Sequence, residues 1–361
     1  MADALTSWTI SIPERRNYEM TLCIRRCLGA LLSLMFVTPA FAETADWGAV
    51  EVWGNSVEPG TRRRFPAVDP RGFEASFLNM PVFIARGAKP GPTLCVTAAI
   101  HGDETNSVEI ARRVFAGVDP ATLAGMLYTL PMVNADGFRS RNRQVTDGRD
   151  LNRSFPGNAN GSVASLLAHF VFTELAAHCD AVVDLHTGSN LRSNYPQVRV
   201  DLESEASTEL AKRFGVGLVL GGSGPEGSLR GEMLRAGIPA IIYEGGGPLL
   251  FQEEEIVRGV EGVRNVMHYL GMAELPNHEV AEPTLYQRTR WLRVPRGQGG
   301  FFFPELPLGA TVEKGTRMGF VVDPVTDEEH AIISSHAGII IGMSLPQPVL
   351  SGNPLFHLGI D

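Results

Sequence analysis

The strongest constraint on this chain is a pattern that recurs along its middle: an apolar run, a short polar loop, then an amphipathic stretch. Thr93 to Ile100 (TLCVTAAI) is almost continuously apolar and leads into His101-Gly102-Asp103-Glu104. Asn106 to Gly117 follows, with Val108, Ile110, Ala111 and Val114 on one helical face. A run without polar alternation suits a strand buried on both faces, as in a parallel or mixed sheet covered by helices. Met126 to Val133 leads in the same way into Asn134-Ala135-Asp136-Gly137, and Ala181 to Leu185 into His186-Thr187-Gly188-Ser189. Ile238 to Tyr243 leads into Glu244 and three glycines. Met80 to Ala85 and Val216 to Leu220 read as further strands, and 162–177, 207–214, 231–235 and 254–270 as helices. The alternation predicts an α/β sandwich with helices on both faces of a mixed sheet. His101, Asn134, His186 and Glu244 then fall at the carboxyl ends of strands, the edge where open α/β sheets bind ligands.

After Glu282 the pattern changes. Residues 283–361 hold short β-like segments with many Gly and Pro (WLRVP, GGFFFP, TRMGFVV, EHAIISS, AGIIIGM), which predicts a small all-β domain following a hydrolase-sized domain over 43–282. Residues 1–42 read as a signal peptide and not as fold. Arg25 and Arg26 precede the apolar stretch Cys27 to Val37, and Ala40-Phe41-Ala42 supplies the small residues of a cleavage site. So short a stretch ending in such a site fits a secretory signal better than a membrane span of ~20 apolar residues, with an uncleaved N-terminal anchor as the alternative. The expectation is a periplasmic or secreted chain cut after Ala42, with no stable membrane span in the mature form; Met20 is an alternative start. Cleavage removes four Arg and three acidic residues, leaving the mature chain one unit more negative than the full-length −9. That balance argues against a nucleic-acid partner, which would need a basic face. Cys95 and Cys179 remain after cleavage, bridged or as buried thiols.

His101 and Glu104 stand three residues apart on a tight loop, and His186 follows 82 residues later. Two His and one Glu make a ligand set typical of catalytic zinc, with the fourth position left for water or substrate. Zinc chemistry on an amide also needs a separate carboxylate to carry a proton to the leaving nitrogen, and Glu244 is placed for it. Between the two halves of this site runs DGRDLNRSFPG. There Asn152 and Arg153 can clamp a substrate carboxylate, the guanidinium as a planar fork.

Taken in order, HGDE, NADGF, DLNRSFPG, DLHTGS and YEGGGP resemble the succinylglutamate desuccinylase/aspartoacylase family of zinc carboxypeptidase-like hydrolases, over about residues 80–361. The resemblance implies one zinc on His101, Glu104 and His186, Glu244 as general base, and Asn152 and Arg153 on the substrate carboxylate. It also implies an arginine that polarises the scissile carbonyl. Arg143 and Arg149 both qualify, with Arg143 preferred. In aspartoacylases a further arginine ahead of the catalytic Glu contacts the acidic side chain of the substrate; Arg230 or Arg235 lies in that stretch here, and Arg230 is taken. The implied fold is a carboxypeptidase-like α/β domain followed by a small lipoyl-like barrel. Its hairpin (VTDEEHA) lacks the lysine of a swinging-arm carrier, so roofing the site or homo-oligomerisation is the expected role. The expected activity is removal of an acyl group from an N-acyl amino acid bearing a carboxylate. A zinc carboxypeptidase or murein-peptide amidase, and a non-catalytic exported binding protein, stand as alternatives.

Overall fold

The computed structural model describes residues 47–69, 78–274 and 280–360. The expected signal peptide, its cleavage site and Met20 lie outside these residues. The elements run β1 (Val50–Val52), β2 (Asn55–Val57), β3 (Thr61–Asp69), β4 (Leu78–Arg86), β5 (Lys89–Ala98), α1 (Thr105–Ala116), β6 (Ala124–Leu130), α2 (Ala135–Ser140), α3 (Val163–His178), β7 (Ala181–His186), β8 (Arg192–Val200), α4 (Glu205–Phe214), β9 (Leu218–Gly221), α5 (Leu229–Arg235), β10 (Ala240–Gly246) and α6 (Glu253–Tyr269). The C-terminal region adds β11 (Thr284–Tyr286), β12 (Arg288–Arg293), β13 (Gly300–Pro304), β14 (Thr311–Val312), β15 (Arg317–Val322), β16 (Glu329–Ile333), β17 (Gly338–Ser344), β18 (Gln347–Val349) and β19 (Pro354–Ile360). Among the described residues no helix is long and apolar enough to cross a membrane.

The main sheet is mixed, as the apolar runs predict. Its order is β12-β19-β17-β8-β10-β7-β5-β6-β4-β3, with β9, β11 and β14 pairing off this path. The centre is parallel: β6, β5, β7 and β10 all run one way. Antiparallel strands flank it, β4 and β3 on one side and β8 on the other. Beyond β8 the sheet continues without a break into the C-terminal region through β17, β19 and β12. A second sheet, β16-β15-β13-β18, gives that region its own all-β layer.

Period-two alternation sorts each central strand between two cores. Leu94, Val96 and Ala98 of β5, Ala181, Val183 and Leu185 of β7, and Ile241 and Tyr243 of β10 pack against α1, α4 and α6. Cys95, Val182 and Ala240 face the other way, against α3 and α5. On that second face the alternation goes on to Thr97, Asp184, His186 and Glu244, so the strand ends turn polar on one side only. Both faces being covered explains why TLCVTAAI carries no polar alternation. Cys95 and Cys179 form a disulfide that ties β5 to the end of α3 across 84 residues, Cα–Cα 5.7 Å.

Candidate active site

The chain leaves β5 with Ala99 in the left-handed region (φ 48), a conformation costly for a residue with a Cβ and held only when its surroundings impose it. Gly102 then passes against α2, where a Cβ would meet the Gly137 carbonyl carbon at 2.0 Å. Only glycine allows that approach, and it seats His101 and Glu104 above the sheet. Asp103 ties this loop to its neighbours. Its carboxylate accepts from Ser189 Oγ (2.8 Å to each oxygen) and from Asn190 N (3.0 Å), and its carbonyl from Leu249 N (2.9 Å).

The structure brings His101, Glu104 and His186 together. All three are buried, and their ligand atoms lie within 4.8 Å of one another. Glu104 sits between the imidazoles, Oε1 2.7 Å from His101 Nδ1 and Oε2 2.8 Å from His186 Nδ1. Oε2 nevertheless makes no hydrogen bond of acceptable geometry, because the imidazole lies off the line an N–H would need. Oε1 is hydrogen-bonded to His101, whereas the orphaned, buried Oε2 beside His186 Nδ1 is the kind of unsatisfied group that a cation would complete. The N/O donor set fits zinc. Burial opposes ionisation of Glu104, and the two imidazoles more than offset it, holding the carboxyl down at about 2. Burial likewise works against charge on His186, but Asp184 and Glu104 raise its pKa well above the usual imidazole range.

A further carboxylate stands behind each imidazole. Asp184 Oδ2 is 2.8 Å from His186 Nε2, while its Oδ1 accepts from Thr97 Oγ1 at 2.7 Å. Asp150 Oδ1 is 3.1 Å from His101 Nε2 and also accepts from Asn152 N at 2.9 Å. Both partners turn the Nδ1 atoms toward Glu104 and fix the tautomer by occupying the opposite nitrogen. Desolvation disfavours the Asp150 anion, but His101 and Arg143 keep its pKa far below the ordinary value. Neither aspartate is singled out by the sequence reading. The signal for Asp184 is present in DLH, because residues two apart on a strand share a face.

Glu244 lies in β10 directly opposite His186 of β7. Its Oε2 accepts from Asn194 Nδ2, and Oε1 is 3.4 Å from Arg199 Nη1. Both partners come from β8. Of the two arginines left open for the carbonyl, Arg143 is at the cluster: Nη2 donates to Asp150 Oδ2 at 2.8 Å and Nη1 is 3.9 Å from Glu104 Oε1. Arg149 is 60% exposed and pairs with Asp147. Asn152 is buried and its Oδ1 accepts from Leu229 N at 2.8 Å, which anchors the start of α5. Arg153 stands exposed beside it, its Nη1 donating to Asn152 O at 2.6 Å. Arg230, one residue into α5, is 3% exposed. Burial, then neighbouring Arg199, lowers its pKa to about 10. Arg235 is 61% exposed and pairs with Glu232, away from the cluster.

A mixed sheet that gathers two imidazoles and two glutamates at the carboxyl ends of its parallel strands defines the class: an α/β domain of hydrolase type with a candidate metal centre. The succinylglutamate desuccinylase/aspartoacylase catalytic domain matches residues 90–270, and the chain belongs to that family. It is 27% identical over 259 residues to an N-alpha-acetyl-L-2,4-diaminobutyric acid deacetylase of Halomonas elongata, covering 64% of this chain and 75% of the relative. Among solved structures, the product-bound ectoine utilization protein EutE (DoeB) of Ruegeria pomeroyi superimposes with a TM-score of 0.75 at 22% identity, over 83% of this chain and 95% of that one. A succinylglutamate desuccinylase/aspartoacylase of Rhodobacter sphaeroides does so with 0.73 at 23% identity, over 83% and 96%.

Proposed function

We propose that this chain is an exported, zinc-dependent amidohydrolase that removes the acyl group from an N-acyl amino acid. The observation that carries the reading is the buried convergence of His101, Glu104 and His186 within 4.8 Å, with Glu244 in register beside it. Those three side chains would hold the ion. Zinc, when bound, supplies Lewis acidity that brings the pKa of a water toward neutrality and polarises a carbonyl.

The chain's own groups account for the rest. Glu244, held by Asn194, takes a proton from the attacking water and returns it to the leaving nitrogen. The guanidinium of Arg143, fixed by Asp150, donates to the carbonyl oxygen as negative charge develops on it. Arg153 and the amide nitrogen of Asn152 grip the substrate carboxylate and set the orientation of the scissile bond. The membership of the family and the deacetylase relative support acyl removal from an amino acid. Export is supported by the N-terminal segment and by the Cys95–Cys179 bridge, since disulfides persist in oxidising compartments.

The test is an activity screen of the mature chain, begun at Glu43, against N-acetyl and N-succinyl amino acids and dipeptides. One zinc per chain is expected, with hydrolysis lost on chelation and restored by zinc. Amide hydrolysis that survives complete metal removal overturns the mechanism, and faster cleavage of dipeptides moves the assignment to a carboxypeptidase. N-terminal sequencing of the exported protein should begin at residue 43; an uncut chain overturns the signal-peptide reading.

A further inference from the structure

Asn194, which holds Glu244, has a neighbour on its own side of β8 that the site as described gives no role. Residues two apart on a strand share a face, so Arg192 leaves the strand on the side Asn194 does. The register against β17 is regular here, with Asn194 opposite Gly342 and Arg192 opposite Ser344. β10 pairs with β8 as far as Gly246 and Asn194. Arg192, which opens β8, therefore stands just past the end of that pairing, where the loops of the site begin.

Two glycines show how closely those loops approach it. A Cβ at Gly188, in the loop after His186, would collide with the Arg192 carbonyl oxygen, and one at Gly247, in the loop after Glu244, would touch the same oxygen at 3.5 Å. The backbone of Arg192 thus rests against the loop that follows a candidate ligand and the loop that follows the proposed base. Its side chain is half-buried, and it makes no hydrogen bond or ion pair with any of the described residues.

The charges within reach of this guanidinium are those of the site itself. Burial, then Arg143, lowers its pKa, against the opposing pull of Glu244, Asp103 and Glu104. Each of those acids is engaged elsewhere. Glu244 accepts from Asn194 and faces Arg199 at 3.4 Å, Asp103 accepts from Ser189 and Asn190, and Glu104 lies between the imidazoles. His357 of β19 offers no counter-charge either, since burial, then Arg199 and Arg192, pushes its pKa down to about 3. Arg143 has Nη2 committed to Asp150. Like charges held together out of bulk water repel. An anion reaching both guanidinium groups relieves that cost, and the free planar fork of Arg192 is built to donate to one.

We infer that Arg192 is a second catalytic arginine, which donates together with Arg143 to the carbonyl oxygen that turns anionic as the amide is attacked. The inference rests on the deacylase reading and deepens it. The substrate carboxylate is already taken by Asn152 and Arg153, which leaves the developing oxyanion as the anion of the reaction to be met here. Glu244 takes a proton from water, the water oxygen bonds to the carbonyl carbon, and the π pair of the C=O moves onto its oxygen beside the two guanidinium groups. As that pair returns, the C–N bond breaks and the proton on Glu244 passes to the nitrogen, so that amide and water become acid and amine. A donor that meets charge only in the transition state raises kcat and leaves substrate binding nearly untouched.

The test uses the zinc-loaded mature chain and the best N-acyl amino acid of the activity screen. In Arg192→Gln, kcat should fall by about 10²–10³, the cost of losing one oxyanion donor, with KM, zinc content and thermal midpoint close to the wild type. Arg192→Lys keeps the charge without the fork and should fall in between; it carries the test if the Gln variant does not fold. Guanidinium ion added to Arg192→Ala should restore part of the lost kcat, which a merely structural role would not allow. Independently of turnover, calorimetry with methylphosphonate, tetrahedral and anionic, should show binding weakened about tenfold or more in Arg192→Gln, as for loss of a charged hydrogen bond. Free L-norvaline, which presents only the carboxylate and amine of a product, should bind both proteins alike. An unchanged kcat in Arg192→Gln, or equal binding of methylphosphonate by the two proteins, overturns the assignment. So does a loss confined to KM and norvaline affinity, which would put Arg192 on the substrate carboxylate. All three outcomes leave the deacylase reading intact. Methylphosphonate binding that depends on Arg192, in a protein that hydrolyses no N-acyl amino acid, keeps the anion site and overturns the deacylase reading.

Discussion

Each imidazole of the cluster is turned by a carboxylate behind it, and each of those carboxylates does a second job. Asp184 is held by Thr97, and Asp150 also fixes Arg143 and the turn that carries Asn152. Replacing Asp184 with Asn keeps the shape but offers a weaker, neutral acceptor to His186. Zinc affinity should fall by about 10- to 100-fold in Asp184→Asn, read by competition with a chromophoric chelator. Glu244→Ala removes the proposed proton carrier and none of the three candidate ligands. Zinc content should be unchanged and kcat should fall by about 10²–10⁴; an unaltered kcat removes Glu244 from the mechanism. His357 carries a prediction in pH. Its folded-state pKa of about 3 lies below the ordinary 6.5, so between those values the unfolded chain binds a proton that the folded chain refuses. Stability is therefore lost as pH falls through that window, by on the order of a few kcal/mol. Denaturant titrations at pH 4 and pH 7 should differ less in His357→Gln than in the wild type.

At the scale of elements, the parallel strands were legible because helices cover both faces and leave a continuous apolar signature in TLCVTAAI and AVVDL. Their ends were legible for the same reason: a lone His or Glu after such a run stands out. β8 was not legible. RSNYPQVRV contains a proline and two arginines, and its inward side carries Asn194, Gln197 and Arg199 in place of apolar residues. The groups that serve the site are the ones that disguise the strand, and with it went Asn194 as the partner of Glu244. Element bounds shifted where strands run on into functional residues, as β7 does through His186 and β10 through Glu244. The disulfide was open in the sequence because strand and helix neighbours 84 residues apart leave no local trace. It closes a long loop in the unfolded chain. The double variant Cys95→Ala/Cys179→Ala should lose about 4–5 kcal/mol in denaturant unfolding by the chain-entropy account, with the zinc site still formed under native conditions.

At the scale of the whole molecule, residues 43–361 form one compact unit, and the main sheet runs through from β3 to β12. The C-terminal region shares backbone hydrogen bonds with β8, the strand whose Asn194 holds Glu244. Calorimetry of the mature chain should therefore show a single cooperative transition and not two. A chain ended at residue 282 should fail to give a soluble, zinc-binding protein, because β8 would lose β17 along Arg192, Ser193 and Asn194 and leave that part of its edge open. Two resolved thermal transitions, with the truncated chain folding alone, would contradict this.

The placement of β19 has a consequence for synthesis. It enters the sheet between β17 and β12, and it is the last of the described strands to be synthesised. The three candidate ligands and Glu244 are all translated by residue 244, yet the row of Asn194, Gly342 and His357 across β8, β17 and β19 cannot close until β19 has left the ribosome. A chain cut before Pro354 is thus left without the strand that closes this row, and β17 and β12 lose the neighbour that joins them.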